Sequence, residues 1–550
     1  MSVPTLTILS SGKRIPDEWS VLEVDVRAEV NRIPTATIVL VDGDLAEESF
    51  PASESSVFDL GEDIEIRLRW EGETQDATVF RGLVVRQGLE ITDGATHVTI
   101  EARDAAIKMT QVRKSRVFTK MADSEAISKV IRESGLRANV TSTKVKHDSL
   151  VQYQCTDWDF VSMRSDAAGL AVSVANSVVT VGPPKLSQAP KATFTVGMDE
   201  VFELECEADV TRQWGDLSAQ GWMPEKQQAA ASKASPVPLK QSNWKPQTIA
   251  KRMGFTGAVM AHPLDLQEEL SAWATSRLQR ANLAFIRGRL SVTGTTKVSP
   301  LDVIELKGIG KRFVGRALVG GVGHRVAEGM WTTDLQLGLP ADGLVPDDGV
   351  EVPPASALIP PARGLQIGIV SAAQERSPGD FTIKVKLPLL GDTVEVWARP
   401  MSPDAGKSRG YVFRPEVGDE VIVGFLADDP RFAVILGSLF SGKQTWPDAL
   451  GKPTKENQKK GIVTRSGTTI GFVDEDKPSV FIETPAKNRV LLNDKDKLIT
   501  LTDQHGNSVT LDDKGITLKS AKDIILESKG SLTLKAQSSV AIEGQKVDVK

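Results

Sequence analysis

The residues that could do chemistry are few in this chain, and their spacing does not assemble a catalytic site. None of the histidines forms a His-Glu-x-x-His motif or a closely spaced pair that could hold a catalytic metal. A Gly-x-Ser-x-Gly sequence, which would mark the nucleophile of a hydrolase, is absent. We therefore predict no catalytic residue, no metal and no cofactor. The histidines are His97, His147, His262, His324 and His505.

Glycine and carboxylate clusters offer two further candidate sites. Gly308, Gly310 and Gly315 suggest a phosphate-binding loop, but no Gly-Lys-Ser/Thr follows them and the surrounding pattern is that of strands, so we interpret them as turn glycines. The carboxylate clusters do not complete a calcium-loop spacing, and they occur where polar turns are expected. Those clusters are Asp42/Asp44, Asp474/Glu475/Asp476 and Asp494/Asp496.

A short basic run precedes the first predicted helix. It consists of Arg113, Lys114, Arg116 and Lys120. Such a run can bind a partner protein, although a solvated surface is the commoner explanation. Both interpretations stay open at the level of sequence.

Composition limits the classes of protein that fit. At 550 residues the chain should hold three or four domains, and its net charge of −6 gives no sign of a nucleic-acid surface. Cys155 and Cys206 are too few for a disulfide scaffold or a four-cysteine zinc site, which fits synthesis in a reducing cytoplasm. The N-terminal residues lack a basic segment followed by an apolar core, and 18 apolar residues never run together. We expect neither a signal peptide nor a membrane span.

The first 345 residues are predicted to form one large, mainly β domain with a few helices. Helices are predicted from an N-cap at Asp123 to Gly135, from Asp157 to Ala168, and from about Leu264 to Ala284. The segment 226–246 is rich in Ala, Lys, Gln and Pro without apolar periodicity, and it predicts an exposed loop.

Three further regions follow this domain. Residues 346–363 are rich in proline and predict a linker. Residues 364–442 contain five or six short strands, as expected of a small Greek-key barrel such as an OB-fold. Because these strands lack interleaved basic and aromatic residues, a structural barrel is favoured over a nucleic-acid-binding one. Residues 443–505 predict a linker and more strands.

The last region, 506–550, carries an eight-residue repeat. Apolar pairs alternate with period two, so both members of a pair point to one face of a strand, and Lys519, Glu527, Lys535 and Glu543 follow the pairs at predicted corners. This region is too short for a single-chain β-solenoid, whereas three chains contributing eight residues each complete one turn. We predict a trimeric β-prism. An antiparallel meander is the alternative, but Gly515, Gly530 and Gly544 do not recur at one place in the repeat. The predicted trimer core comprises Val509, Leu511, Ile516, Leu518, Ile524, Leu526, Leu532, Leu534, Val540, Ile542, Val547 and Val549.

Several motifs, taken in order, resemble the VgrG (Rhs element Vgr) spike proteins. In the N-terminal domain they are Asn31 to Pro34, Leu40 to Asp44, Arg113 to Phe118 and Thr156 to Phe160. In the rest of the chain they are Arg414 to Val421 with Phe425, Asp429 to Arg431, Leu436 to Leu439, Thr464 to Gly467 and Asp503 to Leu511. The resemblance extends from about Trp19 to Lys550. Its first motif is more similar to the forms found in extracellular contractile injection particles. Membership of a type VI secretion apparatus is the alternative.

The resemblance implies a homotrimer with a phage-hub-like N-terminal region of two barrel-like subdomains per chain, an OB-fold collar and a β-helical needle. The hub would cap a sixfold inner tube, contact baseplate proteins and match the tube to a threefold tip. Sheath contraction would drive the needle through a target envelope, with only transient membrane contact. A small PAAR-repeat protein would bind the needle end.

Relatives of this type differ in the extra domains they carry. The short stretch between Gly442 and Gly461 leaves no room for the lysozyme domain of some phage spikes, and the sequence stops at Lys550 within the repeat. We therefore expect no attached enzyme, and any effector would be separate cargo. Two alternatives remain for testing: a phage-like cell-wall hydrolase and a trimeric carbohydrate-binding tail module.

Overall fold

The computed structural model describes residues 3–185, 187–223, 228–235, 243–261, 267–340, 354, 361–374, 378, 381–391, 393–430 and 432–549. The chain divides into two compact units, Met1–Pro353 and Pro354–Lys550. Most of the predicted linker, 346–363, lies outside the described residues.

Strands make up most of unit 1. In chain order they are β1 (Pro4–Ser10), β2 (Lys13–Arg14), β3 (Val21–Glu29), β4 (Thr35–Val41), β5 (Asp63–Trp70), β6 (Ala77–Thr92), β7 (Ala95–Arg103), β8 (Arg113–Ala122), β9 (Arg137–Val140), β10 (Lys146–Thr156), β11 (Ala171–Ala175), β12 (Val178–Gly182), β13 (Ala192–Thr195), β14 (Val201–Ala208), β15 (Leu217–Met223), β16 (Gln228–Lys233), β17 (Ala258–Ala261), β18 (Ile286–Thr293), β19 (Val303–Lys307), β20 (Gly315–Ala327) and β21 (Met330–Leu337). The helices are α1 (Asp123–Glu133), α2 (Asp157–Ala167), α3 (Pro246–Arg252), α4 (Gln267–Leu283) and α5 (Gly310–Phe313), with short 3-10 helices at Ser56–Phe58 and Ala105–Thr110.

One continuous sheet forms the frame of unit 1. Its strands follow the order β14-β18-β21-β20-β3-β4-β7-β6-β5-β1-β2, with β19 paired to β20 and β13 to β19. Two separate apolar cores lie along this sheet, one on strands β1 to β7 and one on strands β18 to β21. The pairing of β3 with β20 joins the two halves of the sheet, each of which has its own core. The N-terminal region is thus mainly β, as predicted.

A smaller subdomain contains the first two helices and has its own core. Ile127, Val130 and Ile131 of α1 are fully buried in it, which confirms the predicted apolar face. The predicted N-cap was wrong by one residue. Ala122 is the N-cap, and its backbone N–H donates to Glu125 Oε2 at 2.7 Å. Asp123 is not free to cap because its carboxylate accepts hydrogen bonds from His147 and Arg164. Helix α2 begins and ends as predicted, with Thr156 as its N-cap.

The segment 226–246 is not simply an exposed loop. Within it, β16 pairs with β15 in an antiparallel hairpin, and Ala230 packs with Ala219 and Leu270 of α4. Small alanines fit under a helix without giving the large-residue alternation that predicts a strand, so the sequence pattern concealed β16. Residues 226–227 and 236–242 of the segment lie outside the described residues. Helix α4 confirms the third predicted helix over its described part, and the one-turn helix α5 follows β19 where strand alone was predicted.

Unit 2 begins with a closed barrel. Its strands are β22 (Gln366–Ala372), β23 (Ile383–Lys386), β24 (Glu395–Pro400), β25 (Ala405–Gly406), β26 (Arg409–Gly410), β27 (Glu420–Phe425) and β28 (Ala433–Ser438), with a 3-10 helix at Leu426–Asp428. Strands β22, β23, β24, β28 and β27 close in that order around a core that includes Val385, Ala398 and Val421. A closed barrel of five short strands confirms the expectation of an OB-like barrel.

An antiparallel meander follows the barrel. Its strands are β29 (Lys459–Val463), β30 (Thr469–Val473), β31 (Ser479–Glu483), β32 (Arg489–Asn493), β33 (Leu498–Thr502), β34 (Ser508–Asp512) and β35 (Gly515–Lys519). Each strand pairs with the next, and residues 459–519 are all described. The predicted needle start at residue 506 therefore needs correction. Ile516 and Leu518 belong to the last hairpin of the meander, because Asp513 and Lys514 form a tight turn between Asp512 and Gly515.

Candidate assembly surface

One face of the meander is apolar across all of its strands. Side chains two residues apart on each strand point to this face, and they stand opposite one another in the register of the sheet. The first cross-strand row is Ile462, Ile470, Ile482, Val490, Leu501, Val509 and Leu518. The second row is Phe472, Val480, Leu492, Ile499, Leu511 and Ile516. We call these two rows the assembly face.

Much of the assembly face is open to solvent in a single chain. Leu501 is 53% exposed and Leu518 is 57% exposed, and Ile482, Leu492 and Ile499 are exposed as well. A contiguous apolar surface of this extent is unusual on a monomer and marks a site of association. The sequence signal was the alternation in the strands before residue 506. The strands before residue 506 are predicted by the sequence, but the predicted trimer core begins only at Val509.

The opposite face of the meander is mostly polar and carries its own packing. Phe481 lies across Gly471 of the neighbouring strand, where a Cβ would stand 2.3 Å from Phe481 Cζ. The guanidinium carbon of Arg489 lies 4.9 Å from the centre of the same ring. Leu491 and then the threonines at positions 500, 510 and 517 continue this row across the sheet. The sheet is therefore amphipathic, and its apolar side is the one without cover.

A groove of about 580 Å³ lies on the assembly face. Its floor is made by the first row, from Ile482 to Leu518, and Ile524 forms a wall. Asn507 positions that wall, since its Oδ1 accepts hydrogen bonds from the Ala521 N–H at 2.9 Å and from Ser520 Oγ at 3.0 Å. Asp503 in turn accepts from the Asn507 N–H at 2.8 Å and from Asn507 Nδ2 at 2.7 Å. This loop directs the chain from β35 back over the groove.

The repeat beyond the meander forms no strand and pairs with no strand of the described residues. Between residues 520 and 549, all of which are described, no strand is formed. Its aliphatic side chains are more than half exposed, from 51% at Val547 to 90% at Val549. The exposed set is Ile524, Ile525, Leu526, Leu532, Leu534, Val540, Ile542, Val547 and Val549. These residues and the assembly face are presented by one continuous stretch of chain.

The basic run lies on β8, and two of its four side chains bind other elements of unit 1. Lys114 Nζ donates to Asp157 Oδ2 at 2.6 Å, and Arg116 Nη2 donates to Asp157 Oδ1 at 2.7 Å. Arg116 also pairs with Glu133 at the end of α1. Burial alone would raise the pKa of Asp157, but hydrogen bonds from Lys114 and Gln152 and the charge of Arg116 hold it below its usual value. Two members of the run therefore join β8 to α1 and α2, while Arg113 and Lys120 are exposed.

The histidines do not converge on a site in the described part of the chain. His147 is buried between Asp123 Oδ2 at 2.9 Å and Glu269 Oε2 at 3.5 Å, and Arg164 hydrogen-bonds the same two carboxylates. Burial lowers the pKa of His324 to about 4. His262 lies outside the described residues. Across the described residues, no group of three or more His, Cys, Asp or Glu side chains is arranged to hold a metal ion.

No helix in the described ranges has both the length and the apolar character needed to cross a membrane.

Three family models match the chain, in an order that follows the architecture. Residues 1–328, more than half of the chain, match the Alg8 N-terminal domain. Residues 366–440 match the type VI secretion system/phage-baseplate injector OB domain, and residues 479–550 match the phage baseplate V C-terminal trimerisation domain. The chain thus belongs to the family of the Alg8 N-terminal domain, and its C-terminal half is similar to the OB and trimerisation domains of type VI and phage-baseplate injectors. The match to the trimerisation domain contains β31 to β35 and the repeat, so it covers most of the assembly face.

Individual relatives are more distant. The Pseudomonas aeruginosa type VI secretion system spike protein VgrG1c is 34% identical over 76 residues, which cover 14% of this chain and 10% of that protein. The alignment thus spans about a tenth of the curated relative. A component of the Escherichia coli type VI secretion system has 13% identity and a TM-score of 0.42, covering 78% of this chain and 99% of that one. A Francisella PdpA–VgrG complex has 8% identity and a TM-score of 0.41, covering 94% of this chain and 80% of the other.

Proposed function

We propose that this VgrG-like chain is a non-enzymatic structural spike that works as a homotrimer at the tip of a contractile injection system. The observation that carries the proposal is the assembly face, which continues into an aliphatic repeat without strand partners of its own. Both features need neighbours that one chain does not provide. The match of residues 479–550 to a trimerisation domain supports three copies.

In the proposed trimer, three meander sheets turn their assembly faces inward to form a prism. The two cross-strand rows of each sheet then meet those of the other copies, and the aliphatic area leaves water. Beyond residue 519 each chain contributes eight residues to a 24-residue turn, so the backbone groups of each copy find partners on the next. A prism of this kind has a dry interior and no free sheet edges, and it is rigid.

The remaining parts are assigned by their order along the chain. Residues 1–353 act as a hub that binds the inner tube and baseplate proteins and adapts a sixfold tube to a threefold tip. The OB barrel is the collar, and a PAAR-like protein binds the needle end. The chain is made in the cytoplasm and joins a phage-tail-like particle that is released or cell-anchored. Sheath contraction drives the spike through the target envelope with effector cargo bound non-covalently.

The first experiment measures the oligomeric state of the full chain by light scattering. A stable trimer is expected, and a monomer with a folded C-terminal region would contradict the proposal. The variant Leu526→Asp/Leu534→Asp should lose the trimer, because each substitution buries three carboxylates in one layer of the needle. The matched control is Ser528→Asp/Ala536→Asp, which adds the same two carboxylates directly after the predicted corners at Glu527 and Lys535 and should leave the trimer intact.

A second experiment separates the structural role from a hydrolase. Purified chain is incubated with peptidoglycan, and release of soluble fragments is followed. No release is expected of a spike that acts mechanically. Fragment release by the full chain would favour the cell-wall hydrolase instead.

A further inference from the structure

A second exposed apolar feature lies at the collar. Residues 411–417, which we call the collar arm, connect the small β25–β26 hairpin to β27. Tyr411, Val412 and Phe413 are 59%, 71% and 64% exposed, and Val417 is exposed to a similar extent. Three consecutive large apolar side chains in solvent are costly unless a partner covers them. The barrel core does not use them.

The arm is held at both ends and open in its middle. The Tyr411 N–H donates to Asp404 O at 2.9 Å, and Ser402 Oγ donates to Tyr411 O at 2.7 Å. At the other end the Glu416 N–H donates to Asp419 Oδ2 at 2.8 Å. Between these anchors, the backbone N–H groups of Val412 and Phe413 make no hydrogen bond to any described residue. Pro415 also favours an extended conformation at Arg414. The arm thus offers both apolar side chains and unpaired donors.

The arm contacts the meander, which carries the assembly face, in the same unit. Arg465, in the turn between β29 and β30, donates from Nη1 to Glu416 Oε2 at 2.6 Å. This ion pair links the arm to the first hairpin of the meander. The arm is therefore joined to the meander that carries the assembly face.

An exposed aromatic pair lies at the same end of the barrel. Phe440 and Trp446 have ring centres 4.1 Å apart, and both are about half exposed. Strands β24 and β28 run parallel, so the arm after β24 and the pair after β28 leave the barrel at one end. In a trimer with the barrel axes along the threefold axis, the arm of one copy and the aromatic pair of the next lie at the same height.

We propose that the collar arm docks on a second copy of this chain, with Val412 and Phe413 packed against the neighbouring copy's Phe440–Trp446 pair. The proposal rests on the trimer proposed above and names a contact that the needle does not supply. Each copy gives one arm and receives one, so the contact closes as a ring of three. The three barrels of the collar then bind one another through contacts that do not depend on the prism.

The test places a photo-reactive benzoylphenylalanine at position 412 of the full chain. Mixed trimers are prepared from isotopically light and heavy copies, irradiated, denatured and analysed by mass spectrometry. We expect light–heavy cross-links between position 412 and residues around Phe440 and Trp446. The same probe at Leu389, at the opposite end of the barrel and also exposed, is the control and should not reach that pair.

The outcomes separate the two proposals. A monomer by light scattering overturns the trimer itself. A trimer in which position 412 cross-links only within its own chain, to the hub or to another protein overturns the arm alone. A second variant, Val412→Ser/Phe413→Ser, should remain trimeric through the needle while its melting temperature falls by roughly 2–8 °C. An unchanged melting temperature together with unchanged proteolysis of the arm would also contradict the docking.

Discussion

Gly471 lies directly beneath the ring of Phe481, its cross-strand neighbour, and a Cβ at position 471 would stand 2.3 Å from Phe481 Cζ. The absence of a side chain at position 471 is thus what lets the aromatic ring lie flat on the polar side of the meander. Arg489 then packs over the same ring. Glycine in a strand interior often marks such a close approach.

The first prediction concerns this pair. Gly471→Val should destabilise the C-terminal region by about 1–3 kcal/mol per chain, because Phe481 must leave its position and the strands must separate. Thermal unfolding of the trimer measures the effect. Gly437→Val is the matched control, since a Cβ at Gly437 of β28 meets no atom within 4 Å. An equal loss of stability in both variants would show that the contact with Phe481 is not the cause.

A second prediction compares the two faces of one strand. Leu501→Asp should abolish trimers at micromolar concentration, because three carboxylates would be buried on the assembly face. Thr500→Asp changes the adjacent residue of β33 on the opposite face and should preserve the trimer. Sedimentation velocity measures the fraction of trimer for both variants. Trimers of equal stability would exclude this face from the interface.

A third prediction tests the basic run. Asp157→Ala should destabilise the hub by about 2–4 kcal/mol, because Lys114 and Arg116 lose a shared carboxylate that is almost fully buried. The expected loss is moderated because Lys114 reaches solvent. Lys120→Ala, an exposed member of the same run, should leave urea unfolding unchanged. If Lys114→Ala instead blocked particle assembly at unchanged stability, the run would serve as an interface.

A fourth prediction concerns pH. The pKa of His324 is about 4 in the folded chain because burial disfavours the imidazolium, whereas the ordinary value is 6.5. The unfolded chain therefore binds the proton more readily, so the free energy of unfolding should fall as the pH drops from about 6.5 to about 4, by about 3 kcal/mol in total. Urea unfolding of the hub across this range measures the slope. His324→Gln should flatten it, and an unchanged slope would contradict the assignment.

The sequence was sufficient where local patterns matched the fold. Ile127, Val130 and Ile131 predicted the buried side of α1, and the alternating strands of residues 364–442 predicted the barrel. The pairing of β3 with β20 could not be predicted from the sequence, because no local pattern links strands that are almost 300 residues apart. The alanine-rich strand β16 was not predicted either, because its small side chains give no apolar alternation with period two.

The site was foreseen only in part. The aliphatic repeat indicated that several chains must associate, but the assembly face before it was overlooked. Strands β30 to β35 each carry just two alternating apolar residues on this face, a pattern equally typical of a sheet packed on its own domain. Only the register shows that these pairs align across six strands and continue to Ile462 of β29.

The assembly face also has a consequence for synthesis. A newly made copy exposes a wide aliphatic surface, bounded by strand β35 with unpaired backbone groups, to every other protein in the cell. Productive encounter needs two more copies, so its rate rises steeply with local concentration, whereas adsorption to unrelated proteins needs only one. Copies emerging together from ribosomes on a single messenger RNA would meet soonest. Yield of soluble spike should thus depend on how closely in time and space its three chains are translated.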